Sequence, residues 1–206
     1  MVSELDKMLP YWHKGNEKRM KIWLNYSRKK KYDVEAKYIL PIIPKGIHKV
    51  LDVPCGSGFY YEYLDFDEYV GLDQSPLFID YCKSKFSGDF MVGDCRKLSF
   101  EDDVFDCVFC IGLVCHGDRK DAMGVMKEIT RVSSRYVVLE HLEDKKDRIS
   151  VSHKKKNIHE QVFKEGWVQG IMRDLGFKPI KSVKLEYLSV SDLKGTKRIV
   201  VVYERI

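Results

Sequence analysis

The stretch "VLDVPCGSGFY" joins Asp52, an acid that closes an apolar run, to a loop of small residues, Gly56-Ser57-Gly58. Such a run followed at once by glycines is how a buried strand turns toward a helix, and the glycines let backbone approach a ligand closely. The helix expected after the loop would offer unpaired N–H groups at its N-terminus. A pyrophosphate cradle needs the third glycine of G-x-G-x-x-G, so that helix and strand pack tightly beneath the phosphates. Counted from Gly56 and Gly58, that position is Tyr61, which works against such a cradle. Pro54, where the first glycine would stand, lacks an N–H but keeps a carbonyl that can accept from an amino group. A second chemical candidate is His116, the only side chain in "CIGLVCHGD" able to act as a base near neutral pH. The alternative for His116 is a loop histidine with a structural or solvent role. His13 with Tyr11 and Trp12 could cover a ligand as an N-terminal lid or pack in the core. His141 is a further candidate base, and His153 and His159 read as part of an exposed basic region.

These residues need a frame. The first forty or so residues read as helical, with Met20, Trp23 and Leu24 on one stripe and Val34 and Tyr38 on another, until Pro41 and Pro44 stop the pattern. Strand-like runs follow at 49–53, 68–72, 89–92, 104–111 and 136–140, with helix-compatible segments after the first, second and fourth. That alternation predicts a parallel sheet covered on both faces. The link "GDCRKLSFEDD" between the third and fourth runs is too short for a packed helix. Asp118 reads as the N-cap of a helix whose inward stripe is Met123, Met126, Ile129 and Thr130. A second helix is expected over 158–175, ending at Gly176. "KSVKLEYLSV" and "KRIVVVYERI", on either side of "SDLKG", read as two antiparallel strands.

The totals fit one unit. With 206 residues, 44% apolar content and no long apolar run, the chain is expected to be a single domain over 1–206, with an N-terminal helical cap or lid over 1–45 and a core over 46–206. Charges at the start of the chain predict a cytoplasmic protein, with no membrane association. The six cysteines read as reduced, mostly buried thiols, with no metal: Cys107 and Cys110, an odd spacing apart, point to opposite faces of a strand. Much of the net charge of +5 sits in Arg28-Lys29-Lys30-Lys31 and Lys154-Lys155-Lys156, solvated faces or anion contacts.

Five segments in order resemble the class I S-adenosylmethionine-dependent methyltransferases. They are "VLDVPCGSG", "YVGLDQSP", "GDCRKLSF", "FDCVFCIGLVCHG" and "MKEITRVSSRYVVLE", followed by a closing hairpin. The resemblance runs from about Lys49 to Ile206 and implies a Rossmann-like, doubly wound, mostly parallel seven-stranded α/β sheet with a C-terminal antiparallel hairpin. It implies S-adenosylmethionine as cofactor, held by Asp52, Pro54, Gly56, Ser57, Gly58, Asp73, Gln74, Asp94, Cys95 and Cys110. That cofactor carries a ribose diol, an adenine amino group and a zwitterionic tail but no phosphate, so carboxylates can serve it directly. Asp73 is placed for the diol, Asp94 for the adenine amino group or its neighbourhood, and Asp52 for the loop and the ammonium side of the tail. "VSSR" replaces the family's Lys-Pro-Gly-Gly turn. Only "HLEDKKDRISVSHKKKN" separates the fifth strand from the last long helix, which predicts a compact or open acceptor site.

Methyl transfer is an in-line displacement that mainly requires alignment and exclusion of water, and His116 would act as general base if the acceptor is protonated. The fourth-strand exit lacks the Asn/Asp-Pro-Pro-Tyr/Phe pattern of enzymes acting on base amines. A small-molecule acceptor is therefore expected, with RNA or protein, reached through the basic clusters, as the alternative. A nicotinamide-dependent oxidoreductase would share the alternation but not the Tyr61 position or the hairpin. A non-catalytic binding protein of the same fold is the reading from another class.

Overall fold

The computed structural model describes residues 32–152, 158–185 and 195–206. The N-terminal stripe, Tyr11, Trp12, His13, both basic clusters and His153 lie outside them. Each apolar run ending in an acid forms a strand. β1 (Lys49–Asp52) lies between β2 (Glu68–Asp73) and β4 (Phe105–Cys110), β3 (Asp89–Val92) lies beyond β2, and β5 (Ser133–Asp144) lies beyond β4, all parallel. β9 (Lys197–Arg205) runs antiparallel to β5 and pairs in turn with β8 (Phe177–Lys184), completing the expected seven strands. Alternate residues of one strand serve two cores. Leu51, Val108 and Leu139 pack under α3 (Arg119–Val132) and α4 (Trp167–Asp174). Val50, Phe109 and Val138 pack under α1 (Tyr32–Ile39), α2 (Pro76–Lys85) and the 3-10 turn Tyr60–Glu62. Cys107 and Cys110 fall on opposite faces, and all six cysteines are buried thiols.

Two elements differ from expectation. No α-helix follows β1, because the chain between β1 and β2 is short and aromatic. Phe59, Tyr60 and Tyr61 are drawn into the core, and Tyr61 packs on Phe86 and Tyr69 at 4.7 and 5.0 Å and bonds Ser87 through its hydroxyl. The helix expected over 158–175 begins only at Trp167, behind Gly166 at φ 82°. Its first half is β7 (Ile158–Lys164), antiparallel to β6 (Arg148–Ser152). The apolar residues there are buried on both sides of a ribbon, Val162 against Cys115 and Leu142 and Phe163 in the main core, which mimics helical spacing in sequence. No turn separates α3 from β5, which starts at Ser133 directly after Val132, so in "VSSR" the valine ends the helix and the other three residues open the strand.

The link between β3 and β4 holds no helix and is fastened by α3. Glu128 accepts from the Leu98 N–H, and Arg131 donates to the Leu98 and Phe100 carbonyls. α3 starts as expected: Asp118 accepts from the Asp121 N–H at 2.9 Å and Asp121 accepts from the Asp118 N–H, a reciprocal cap. Asp118→Ala should cost about 1 kcal/mol, read as a lower urea midpoint at unchanged slope. Among the described residues, no helix is long and apolar enough to cross a membrane.

Candidate active site

At the carboxyl edge of the sheet, the loop after β1 is pinned on both sides. The Val53 N–H donates to the Phe109 carbonyl of β4 and the Cys55 N–H to the Leu72 carbonyl of β2. The Val53–Pro54 peptide is cis. Gly56 and Gly58 hold φ of 51° and 73°, which disfavour any side chain. The space beside Gly56 is open, whereas a Cβ at Gly58 would lie 2.5 Å from the Phe86 ring. Ser57 is half-buried between them.

Asp73, 8% exposed, ends β2 and organises this loop. One oxygen accepts from the Gly56 N–H at 3.0 Å and the other from the Ser75 N–H at 2.8 Å, with half-buried Gln74 between Asp73 and Ser75. Asp52, 1% exposed, ends β1. Its Oδ2 accepts from the Tyr69 hydroxyl at 2.6 Å, while its Oδ1 is buried with no hydrogen-bond partner among the described residues. Burial pushes the Asp52 carboxyl up to about 7; the Tyr69 hydrogen bond opposes that shift and the Asp73 charge adds to it.

Asp94 follows β3, and the Gly93 N–H beside it donates to the Asp73 carbonyl. Arg96 grips Asp94 through Nε and a terminal nitrogen at 3.0 and 2.8 Å and reaches Asp121 at 3.3 Å. This ties the β3 exit to the start of α3. Cys95 and Cys110 are buried, and burial pushes both thiols up, which disfavours the reactive thiolate.

His116 lies half-buried at the end of a 3-10 turn, Val114–His116, that follows β4 and Gly112 at φ 75°. His141 is drawn elsewhere. It lies 1% exposed, two residues beyond Leu139 and so on the face of the sheet under α3 and α4, with Nε2 3.4 Å from Glu143 and Nδ1 buried without a partner among the described residues. Its hydrogen bond holds Glu143 below the usual carboxylate range. Asp52 belongs to the opposite face, so the structure does not bring the two together.

Three features escaped the sequence reading. Tyr69 reaches Asp52 diagonally across β1 and β2, which only the register reveals. Arg96 stands two residues after Asp94, a spacing that could have suggested the pair. Glu140 and Arg198, 3% and 10% exposed, form a forked ion pair between β5 and β9. Asp52, Phe109 and Val138 form one row across the sheet, and Glu140 stands one alternate position further on the same face. The edge beyond β4 is covered on one side. β5 outruns β4, and the vacated flank of Glu143 and Asp144 is taken by β7, so the β6–β7 ribbon rises beyond the end of β4 beside the His116 turn.

Comparison with known proteins gives the same picture from another side. Residues 51–139 match a family model described as "Methyltransferase domain". A tRNA U34 carboxymethyltransferase of Nautilia profundicola is 28% identical over 138 residues, 62% of this chain and 44% of that protein. The chain spans less than half the length of the curated relatives it matches. Among solved structures, the PH0226 protein from Pyrococcus horikoshii OT3 superposes with a TM-score of 0.68 at 22% identity, over 87% of this chain and 93% of its own. A possible histamine N-methyltransferase from Thermotoga maritima also gives 0.68, at 16% identity over 98% and 99%. At these identities the two structures establish a shared fold.

Proposed function

We propose that this chain, which carries a class I S-adenosylmethionine-dependent methyltransferase domain, transfers a methyl group to a small-molecule acceptor. The observation that carries the reading is the pair of buried carboxylates at adjoining strand ends, one with an oxygen that has no partner and one already turned to the glycine loop. Burying a carboxylate oxygen without a partner is costly, so the site fits a ligand that brings a donor. Asp52 would take the ammonium side of the cofactor's tail, Asp73 the ribose hydroxyls, and the open space beside Gly56 would admit the cofactor to the loop. Asp94, held by Arg96, would serve the adenine side, and Gln74, Pro54, Ser57, Cys95 and Cys110 would line the same site. Bound there, S-adenosylmethionine supplies an electrophilic methyl group on a sulfonium.

The remaining work falls to alignment and dryness. The Val114–His116 turn brings an imidazole to the exit of β4. When the acceptor atom carries a proton at neutral pH, an imidazole nitrogen of His116 removes it. The β6–β7 ribbon walls this side of the edge, and a walled recess suits an acceptor of small size. A second reading, an RNA acceptor, is favoured by the similarity to tRNA U34 carboxymethyltransferases and by the two basic clusters. Incubation with methyl-labelled cofactor and a fractionated cell extract separates the two. Label in the small-molecule fraction supports the first. Label in RNA, with RNA affinity falling steeply as salt rises, replaces it with the second.

A further inference from the structure

Tyr69 sits 4% exposed on β2, among the rings of Tyr61, Phe66 and Phe90. A phenylalanine would satisfy that packing equally well. The hydroxyl is what the aromatic cluster does not need, and it donates to Asp52 at 2.6 Å. The consequence is an asymmetric carboxylate, with Oδ2 fixed by Tyr69 and Oδ1 buried without a partner among the described residues. A carboxylate oxygen left buried and unsatisfied costs stability, and a ligand that brings a donor would remove that cost.

We propose that Tyr69 is a positioning residue of the cofactor site, clamping one oxygen of Asp52 so that the other is presented, ionised, to a cationic amino group of the ligand. The proposal rests on the cofactor assignment above and extends it to a residue outside the glycine loop. Among the described residues, the groups that act on the Asp52 carboxyl are the Tyr69 hydroxyl and the Asp73 carboxylate from β2, with the Cys55 thiol of the loop on the same face, while Arg198, further along that face, is paired with Glu140. A ligand amino group would supply the positive partner.

The sign of the pH dependence follows. Burial pushes the Asp52 carboxyl up to about 7, and Tyr69 is the group that holds it down. Only the ionised carboxylate attracts an ammonium group, so affinity is full above that value and is lost as pH falls through it. Without the hydroxyl the midpoint moves upward.

Calorimetric titration with S-adenosylmethionine from about pH 6 to about pH 9 tests this on the wild type, Tyr69→Phe and Asp52→Asn. In Tyr69→Phe the acid-side midpoint should rise by about one pH unit, giving roughly fivefold weaker binding near pH 7 and convergence with wild type near pH 9. Asp52→Asn should bind weakly and lack that midpoint. The ligand's own amino group titrates equally in all three and drops out of the comparison. Identical midpoints in wild type and Tyr69→Phe overturn the proposal, as does a uniform loss at every pH, which marks a packing role. A wild type that binds no S-adenosylmethionine at any pH overturns the cofactor assignment and this proposal together.

Discussion

Replacing His116 by alanine is expected to lower the methyl-transfer rate roughly 10²–10⁴-fold while leaving S-adenosylmethionine affinity nearly unchanged, the range for loss of a general base. The residue stands on a short turn that leaves β4, at the edge of an open α/β sheet where ligands bind. The turn is held tightly: the His116 N–H donates to the Leu113 carbonyl, and a Cβ at Gly117 would lie 2.5 Å from Asp121. Its acidic neighbour is committed elsewhere, since Asp118 caps α3. The cofactor would be held by Asp52, Asp73, Asp94 and loop backbone, so its affinity should survive the change. A fall of only a few-fold with a raised acceptor KM would make His116 a positioning residue. Normal turnover with a normal acceptor KM would remove it from the reaction, and attention would then pass to His13 and Tyr11.

The second large effect is expected at Asp73. Asp73→Ala should weaken S-adenosylmethionine binding by about 1.5–3 kcal/mol, roughly 10- to 150-fold in Kd, the scale of hydrogen bonds to a charged group. Two effects add. The ribose hydroxyls would lose the acceptor proposed for them, and the Gly56 and Ser75 N–H groups lose theirs, which loosens the loop itself. Asp73→Asn separates them, because an amide keeps one acceptor oxygen but no charge. Unchanged affinity in Asp73→Ala, measured by calorimetry on folded protein, would place the ribose elsewhere.

Much of the frame was legible because burial in a two-sided parallel sheet leaves a strong mark. The runs 49–53, 68–72, 89–92 and 104–111 are nearly unbroken apolar stretches, and each became a strand within a residue or so of its reading. Asp118 and Gly176 were legible for the same kind of reason, since a cap and a left-handed turn each demand particular residue types. The errors fell where one pattern has two causes. Residues 158–164 show apolar side chains at a spacing that suits a helix, but they lie on a strand that buries Val162 on one face and Phe163 on the other. The segment after β1 carries aromatic residues that looked compatible with a helix but serve as anchors for a short crossover. At the site, the residues named within single motifs could be read locally. Tyr69 on Asp52 and Arg198 on Glu140 depend on which strands pair and in what register, information that no local window contains.

The central claim is that the carboxyl edge of this sheet binds a sulfonium nucleoside through carboxylates rather than a dinucleotide through a phosphate cradle. Calorimetric titration of the purified chain at about pH 8, where Asp52 is ionised, tests it most directly, with S-adenosylmethionine and NAD as separate ligands. One-to-one binding of S-adenosylmethionine, competed by its demethylated product, with no heat from NAD, is the expected result. Saturable binding of NAD with none of S-adenosylmethionine would contradict it.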